Sequence, residues 1–400
     1  MASAQEAGQG MPDGSSGSPA PSVEEESVPG DTDLTSEPEA EDGFGSLEFA
    51  GYNKTLIIGS HTLEPEDEGY GLWLNRTRIK LTYDLPPHLE VHLENDTELR
   101  FGSYLKTGEF KRRKQVPRRQ YWDLQSTIKD ENGYNITNDF FRAYVKWSQS
   151  DTDVVLGRQR IPLGTGRIWS TLDKLNPINP LQIERDEYVG VDALMVEQKL
   201  GALSKLAAIY APDPLREDDR FVFQYRTNWE GTDIDVILGR YWTDNLVGVD
   251  FATQIGDMGF HGEAAFTDPG EGGSYGSMVL GVDYAFPNTF NVSVEGYYSS
   301  QKESDRLRQF RDNPLRPFVE PFDTRYLGLN INYEFTPLIK GNLYYLNNVK
   351  DGSSFISPFV TYSVTDNLTL QVGAQLFTGS DNSDFGRFSP LYYGQVQWFF

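Results

Sequence analysis

The chain has no cysteine in its 400 residues. That excludes a disulfide framework, a thiolate nucleophile and a zinc–thiolate centre. It has four histidines, and nowhere the His-Glu-x-x-His spacing by which a helix brings two of them to one zinc ion. No stretch approaches the roughly 18 consecutive apolar residues of a membrane-crossing helix, and leucine-rich runs of helical period are missing. No metal site and no cofactor are expected on these grounds.

What is present is glycine (38), tyrosine (22), phenylalanine (24) and a net charge of −24. The charge and a mean hydropathy of −0.51 suggest a soluble acidic protein. The order of the residues says otherwise. From Gly45 onward the chain repeats a unit of about ten residues of apolar–polar alternation, a turn, a second such stretch and a loop. Alternation at period two is the mark of a strand with unlike faces. The clear stretches are 72–83, 89–101, 141–147, 221–229, 247–255, 278–286, 290–298, 327–335 and 368–376. Fainter ones cover 47–58, 154–161, 188–200, 203–210, 234–242, 258–266, 338–346 and 355–364. The last, Ser389–Phe400, carries Tyr392, Gly394, Val396, Trp398 and Phe400 on one face and Gln395 and Gln397 on the other.

The connections alternate in length. Asp84–Pro87, Ser148–Asp153, Gly201-Ala202, Glu230–Thr232, Gly256-Asp257, Pro287-Asn288, Thr336-Pro337 and Thr365-Asp366 are turn-like. Longer segments lie between them, at 59–68, 104–137, 162–187, 211–220, 267–277, 299–324, 347–354 and 378–389. Only Tyr241–Asn245 is short where a long one is due. A short/long rhythm fits an up-and-down barrel with tight turns at one end, whereas a sandwich needs Greek-key crossovers. The expectation is an all-β transmembrane antiparallel barrel of about 18 strands, 16–18 by this pattern, with both termini at the short-turn end.

Residues 1–44 hold 11 carboxylates and no lysine or arginine, leaving −13 of the net −24 on the rest of the chain. Such a stretch has too little apolar surface to offset its ordering entropy, so a disordered acidic periplasmic extension is expected. Met1-Ala2-Ser3-Ala4-Gln5 has the small-residue character of a signal-peptide cleavage site, as if the signal were removed or not included.

The closing row Tyr392, Gly394, Val396, Trp398, Phe400 resembles the last strand of Gram-negative outer-membrane β-barrel proteins, which end in phenylalanine with an aromatic two residues earlier. Gly394 departs from that pattern in bulk. The resemblance implies an outer-membrane location, contact with lipid and lipopolysaccharide, a periplasmic C-terminus, and recognition by the barrel-assembly machinery through Tyr392, Trp398 and Phe400. The stretch Gly157–Trp169, followed by Leu175-Asn176-Pro177-Ile178-Asn179-Pro180, resembles porin-like families related to alginate exporters.

Facing the apolar rows to lipid puts the other rows in the lumen. Arg76, Arg78, Lys80, Arg142, Lys146, Arg158 and Arg160 then form a basic wall. Asp250, Glu263, Asp283, Glu295 and Glu334 form an acidic wall about nine strands away. Two such walls predict a transverse field favouring polar or zwitterionic solutes; scattered lumen polarity accounts for the same residues without one. The row His88, Glu90, His92, Glu94, Asp96, Glu98 interrupts the basic wall. Its histidines, four apart on a strand, stand about 13 Å apart, too far for one metal ion.

The 162–187 connection carries Arg167, Asp173, Lys174 and Arg185 together with apolar Ile168, Trp169, Leu172 and Leu175. An exposed loop rarely keeps that much apolar surface. It is expected to fold inward and narrow the pore, a cap on the rim being the alternative. Loop 104–137 clusters Lys106, Lys111, Arg112, Arg113, Lys114, Arg118 and Arg119 near Phe110, Tyr121 and Trp122. On an outer surface this fits lipopolysaccharide rather than nucleic acid, which is not expected as a partner.

Three functions compete. The first is a porin passing small hydrophilic solutes, anionic ones included. The second is a structural sleeve around a partner protein such as a multihaem cytochrome, or a polysaccharide exporter. The third is a barrel hydrolase, disfavoured because His61 and His261 have no nucleophile motif beside them; no catalytic residue and no enzyme activity are expected.

Overall fold

The structure is a computed structural model that describes residues 45–63, 67–115, 118, 120–131, 133–184, 188–213, 219–312 and 321–400. The acidic extension expected over 1–44, and Arg185 of the expected constriction, lie outside these residues. Nineteen strands are present among them: β1 (Ser46–His61), β2 (Gly69–Leu85), β3 (Leu89–Phe101), β4 (Gln125–Glu131), β5 (Tyr134–Gln149), β6 (Thr152–Gln159), β7 (Val191–Lys199), β8 (Lys205–Ala211), β9 (Arg220–Trp229), β10 (Thr232–Tyr241), β11 (Asp244–Ile255), β12 (Met258–Asp268), β13 (Tyr275–Ala285), β14 (Phe290–Ser299), β15 (Arg325–Thr336), β16 (Ile339–Asn348), β17 (Ser354–Thr365), β18 (Leu368–Thr378) and β19 (Leu391–Phe399). All pairings are antiparallel, and β1 pairs with both β2 and β19, so the sheet closes on itself. Eighteen strands form the wall. The other, β4, pairs with β5 over Tyr134–Asp139, on the edge that β6 joins lower down over Ala143–Gln149.

Each stretch expected from alternation falls on a wall strand. The hairpin between β9 and β10 shows how the turns work. Glu230 and Gly231 take φ values of 51° and 82°, the paired positive angles of a type I′ turn, whose twist suits two antiparallel strands.

The outward face carries the apolar rows. Phe223, Leu238, Val247, Phe266 and Leu280 on β9–β13, and Val372 and Tyr392 on β18 and β19, are exposed while their sequence neighbours are buried or half-buried. Near the short-turn end, rings crowd together: Phe286 lies 4.5 Å from Tyr284 and 5.5 Å from Phe290, and Trp398 lies 5.3 Å from Phe400. Apolar rows ending in an aromatic girdle suit a bilayer and its interface. Among the described residues no helix is long and apolar enough to cross a membrane; the strands do the crossing.

The 104–137 connection is more ordered than alternation suggested. It holds a 3₁₀ turn at Ser103–Lys106, helix α1 (Gly108–Arg113) capped by the Thr107 hydroxyl, and β4. The strand after it begins at Tyr134 rather than at Phe141. The reason is a bulge. Glu94 pairs with Arg142 and the next residue, Asn95, with Phe140, so Phe141 is extra. A bulge reverses which residues face inward, and the alternation breaks at that point.

Candidate pore and constriction

The inner surface is built from two arcs and the chain that crosses between them. On the first arc, Arg76, Arg78 and Lys80 of β2 stand opposite Glu98, Asp96 and Glu94 of β3, pair by pair in the register. Arg78 grips Asp96 with Nε and Nη2, both at 2.6 Å, and is 2% exposed. Arg76 Nε reaches Glu98 at 2.7 Å, and Lys80 Nζ lies 3.7 Å from Glu94. Arg142 donates to the Tyr188 carbonyl at 2.5 Å, Lys146 lies 3.8 Å from Asp153, and Arg158 bonds Asp192 at 2.9 Å and Asp139 at 3.3 Å. Arg160 follows the end of β6 and stacks on the Tyr188 ring at 3.9 Å. The seven basic residues therefore do not stand as an unopposed wall. Carboxylates on β3, β5, β6 and β7 answer most of them, because alternating strands bring acids into the same row.

On the second arc the carboxylates face a different partner. Glu295 of β14 accepts the backbone N–H groups of Arg167, Ile168 and Trp169 at 2.8, 3.0 and 2.8 Å. Glu263 of β12 accepts those of Gly166 and Thr171, each at 2.7 Å, and the Ser170 hydroxyl at 2.9 Å. Asp283 of β13 holds the Arg167 guanidinium at 2.8 Å. Successive N–H groups turned toward one anion make a nest, here filled by a side chain of the wall. Glu263, Glu295 and Asp250 are buried, so they do not present a bare acidic face to the pore. Asp250 sits in register between Asp235 and Glu263. Glu334 is not part of this group: it lies near the short-turn end, half-exposed, 3.1 Å from Lys340.

The crossing chain is 160–184 with 188–190, and these described residues have no regular secondary structure. Its shape is set by side chains bonding their own backbone. The Ser170 hydroxyl takes the N–H of Leu172 and Asp173, Asp173 takes those of Leu175 and Asn176, and Asn176 takes that of Ile161. Such local bonds let an irregular segment be buried without orphaned polar groups. Leu163, Leu172 and Leu175 pack with Val191, Ile209, Val222, Ile237, Tyr241 and Leu246 of β7–β11. Ile168 and Trp169 pack with Val279, Tyr326, Leu346, Phe355 and Phe385. Gly328 of β15 leaves the room, since a Cβ there would come within 2.5 Å of Ile168 Cδ1. Farther on, Leu181 O accepts from Gln375 of β18, and Glu184 bonds Lys54 of β1 at 2.7 Å and Arg76 of β2 at 2.9 Å. One segment that touches strands all around a closed sheet runs inside it.

Beside Arg76 and Arg78 it leaves a cavity of about 630 Å³, lined also by Arg113, Arg158, Asp96, Glu98, Asp139, Glu184, Gln120 and Gln125. The arginines and the carboxylates balance in number. Lys174 is buried within the segment. The aromatic partners were not evident in the sequence: Tyr297 and Tyr326 reach Trp169 from β14 and β15, and Phe385 reaches Tyr326 from loop 379–390.

Solved structures share this fold. The chain matches Acinetobacter baumannii OccAB1 at 10% identity with a TM-score of 0.55, covering 90% of this chain and 98% of that one. It matches Pseudomonas aeruginosa OpdK with vanillate at 11% and 0.57, covering 89% and 98%. For A. baumannii OccAB2 the values are 11% and 0.57, covering 90% and 99%. The fold is that of an outer-membrane porin. No family model and no curated protein matches the chain. Relatives in this porin fold fit the resemblance seen in the closing strand, carried here by the whole architecture.

Proposed function

We propose that the chain is a diffusion channel of the Gram-negative outer membrane, passing small hydrophilic solutes, with 162–187 as its constriction. The observation that carries this is the segment held inside the closed sheet by Glu263 and Glu295, because an eighteen-strand barrel is otherwise an open aqueous pore. The short turns and both ends of the sheet lie on the periplasmic side and the long loops outside, next to lipopolysaccharide. The barrel-assembly machinery takes the chain by Tyr392, Trp398 and Phe400, which are exposed on the lipid face.

Charge balance around the cavity favours solutes that are neutral or zwitterionic. Carboxylate anions are the second reading, favoured by the vanillate in the similar OpdK structure; reversal potentials and solute-flux measurements in liposomes separate the two. A sleeve around a partner protein is disfavoured, since the segment crosses the lumen where such a partner would sit and the cavity of about 630 Å³ beside it suits a small molecule. Deleting Gly164–Pro180 should raise single-channel conductance in planar bilayers. An unchanged conductance overturns the constriction.

A further inference from the structure

We propose that His261 is the positioning residue of the constriction, and that it holds the 162–187 segment against the wall only while its imidazole carries both protons. This rests on the segment being the constriction and concerns what keeps it there. His261 is buried on β12, in register with Ala252 of β11 and Gly281 of β13. A Cβ on Gly281 would come within 2.1 Å of Nε2, so that glycine is what lets the ring lie across its strand. Nδ1 then reaches Asp283 Oδ2 and Nε2 reaches Glu295 Oε2, both at 3.1 Å.

A neutral imidazole has one N–H and serves one acceptor. With a carboxylate at each nitrogen, only the imidazolium makes both bonds. The same carboxylates are the segment's anchors, Glu295 through three amides and Asp283 through Arg167. The charged groups facing the ring are thus Asp283 on β13, Glu295 on β14 and Arg167 on the segment, with Glu263 two residues along β12. Imidazolium and Arg167 balance Asp283 and Glu295. Removing the proton leaves one negative charge in excess and one carboxylate without its imidazole bond. The anchors then repel each other beneath the segment, and docking weakens as pH rises.

The absence of cysteine makes the test direct. Ile168→Cys puts a thiol under the docked segment, where residue 168 is 2% exposed, and Ser380→Cys puts one at an exposed loop position. The protein is reconstituted in phosphatidylcholine vesicles and labelled with a water-soluble maleimide. The ratio of the two labelling rates cancels the pH dependence of the thiol reaction. We expect that ratio to climb with pH, by at most about tenfold per unit for one proton. Burial pushes the Asp173 carboxyl of the same segment up to about 7, so part of the change near neutrality belongs to Asp173. The part that His261→Gln abolishes belongs to His261, and in that variant the ratio at neutral pH should already stand above the wild-type value. A ratio flat with pH overturns the proposal, and so does a rise that His261→Gln leaves intact. Labelling needs no current: a silent barrel with a climbing ratio overturns the channel and supports the latch.

Discussion

The arc β2–β6 carries many more charged side chains than the arc β11–β14, and the two neutralise them in opposite ways. The first uses other side chains, arginine against carboxylate across neighbouring strands. The second uses the main chain of 166–172. A side-chain partner fixes only the register of two strands, which hydrogen bonding already fixes. A main-chain partner fixes the course of an irregular segment. The second arc therefore shapes the pore, and the first arc sets what the cavity beside it presents to a solute.

The sharpest way to break this contrast is Glu295→Ala. It strands three amides, each worth roughly 1–3 kcal/mol when left unsatisfied in a buried place. The segment should leave the wall, with higher single-channel conductance and new protease cleavage within 164–180. A wild-type conductance would mean that Glu263 and the apolar packing of the segment hold it without Glu295.

Arg78→Met comes next. It leaves Asp96 buried without its bidentate partner, a loss of about 3–5 kcal/mol for pairs of this kind. Removing both charges, as Arg78→Met with Asp96→Leu, should recover most of it in urea unfolding from vesicles, since apolar replacement of a buried pair is often neutral. No second substitution can rescue Glu295→Ala in that way, because its partners are backbone. Rescue at the second arc and none at the first would reverse the comparison.

A smaller effect tests the segment itself. Asp173 lies outside the strands, and its burial pushes the carboxyl above the ordinary carboxylate range, up to about 7, against the pull of its own backbone bonds. The folded form then binds a proton that the unfolded chain releases, so docking loses stability as pH rises from about 4 to 7. Asp173→Asn should flatten unfolding stability across that window. A slope unchanged by the substitution would show that Asp173 is charged when docked.

Much of the barrel was legible in the chain. Alternation and turn length located the wall strands, because a lipid face and a wet face leave a period-two trace in every strand. The trace fails where the physics differs. β4, Gln-Ser-Thr-Ile-Lys-Asp-Glu, has no lipid face to mark it, and β5 lost its upper half to the bulge at Phe141. The site was legible in composition but not in pairing. Trp169 and Leu172 announced a buried segment; that Glu263 and Glu295 receive its amides depends on contacts between positions some 90 to 130 apart. The paired acids of β3 were visible as a row, and their match to Arg76, Arg78 and Lys80 followed once β2 and β3 formed a hairpin.

The closing strand offers the smallest effect on the pore and the control for all the others. Phe400 donates its N–H to Gly51 O at 3.0 Å and accepts the Gly51 N–H at 2.9 Å, joining the last residue to β1. Its ring, half in contact with Phe49 and Trp398, faces outward, away from both charged arcs. Deleting it removes two hydrogen bonds, about 0.5–1.5 kcal/mol each in net terms, from a sheet edge that keeps the pairs from Tyr52 to Gly59. Barrels that do assemble should conduct as the intact protein does, with the same reversal potential. The yield of heat-modifiable, membrane-inserted protein in cells should fall, since the residue belongs to closure and recognition rather than to the lumen. A changed reversal potential in the deletion would mean that the closing strand reaches the constriction, and that the two arcs are not the whole of the pore's selectivity.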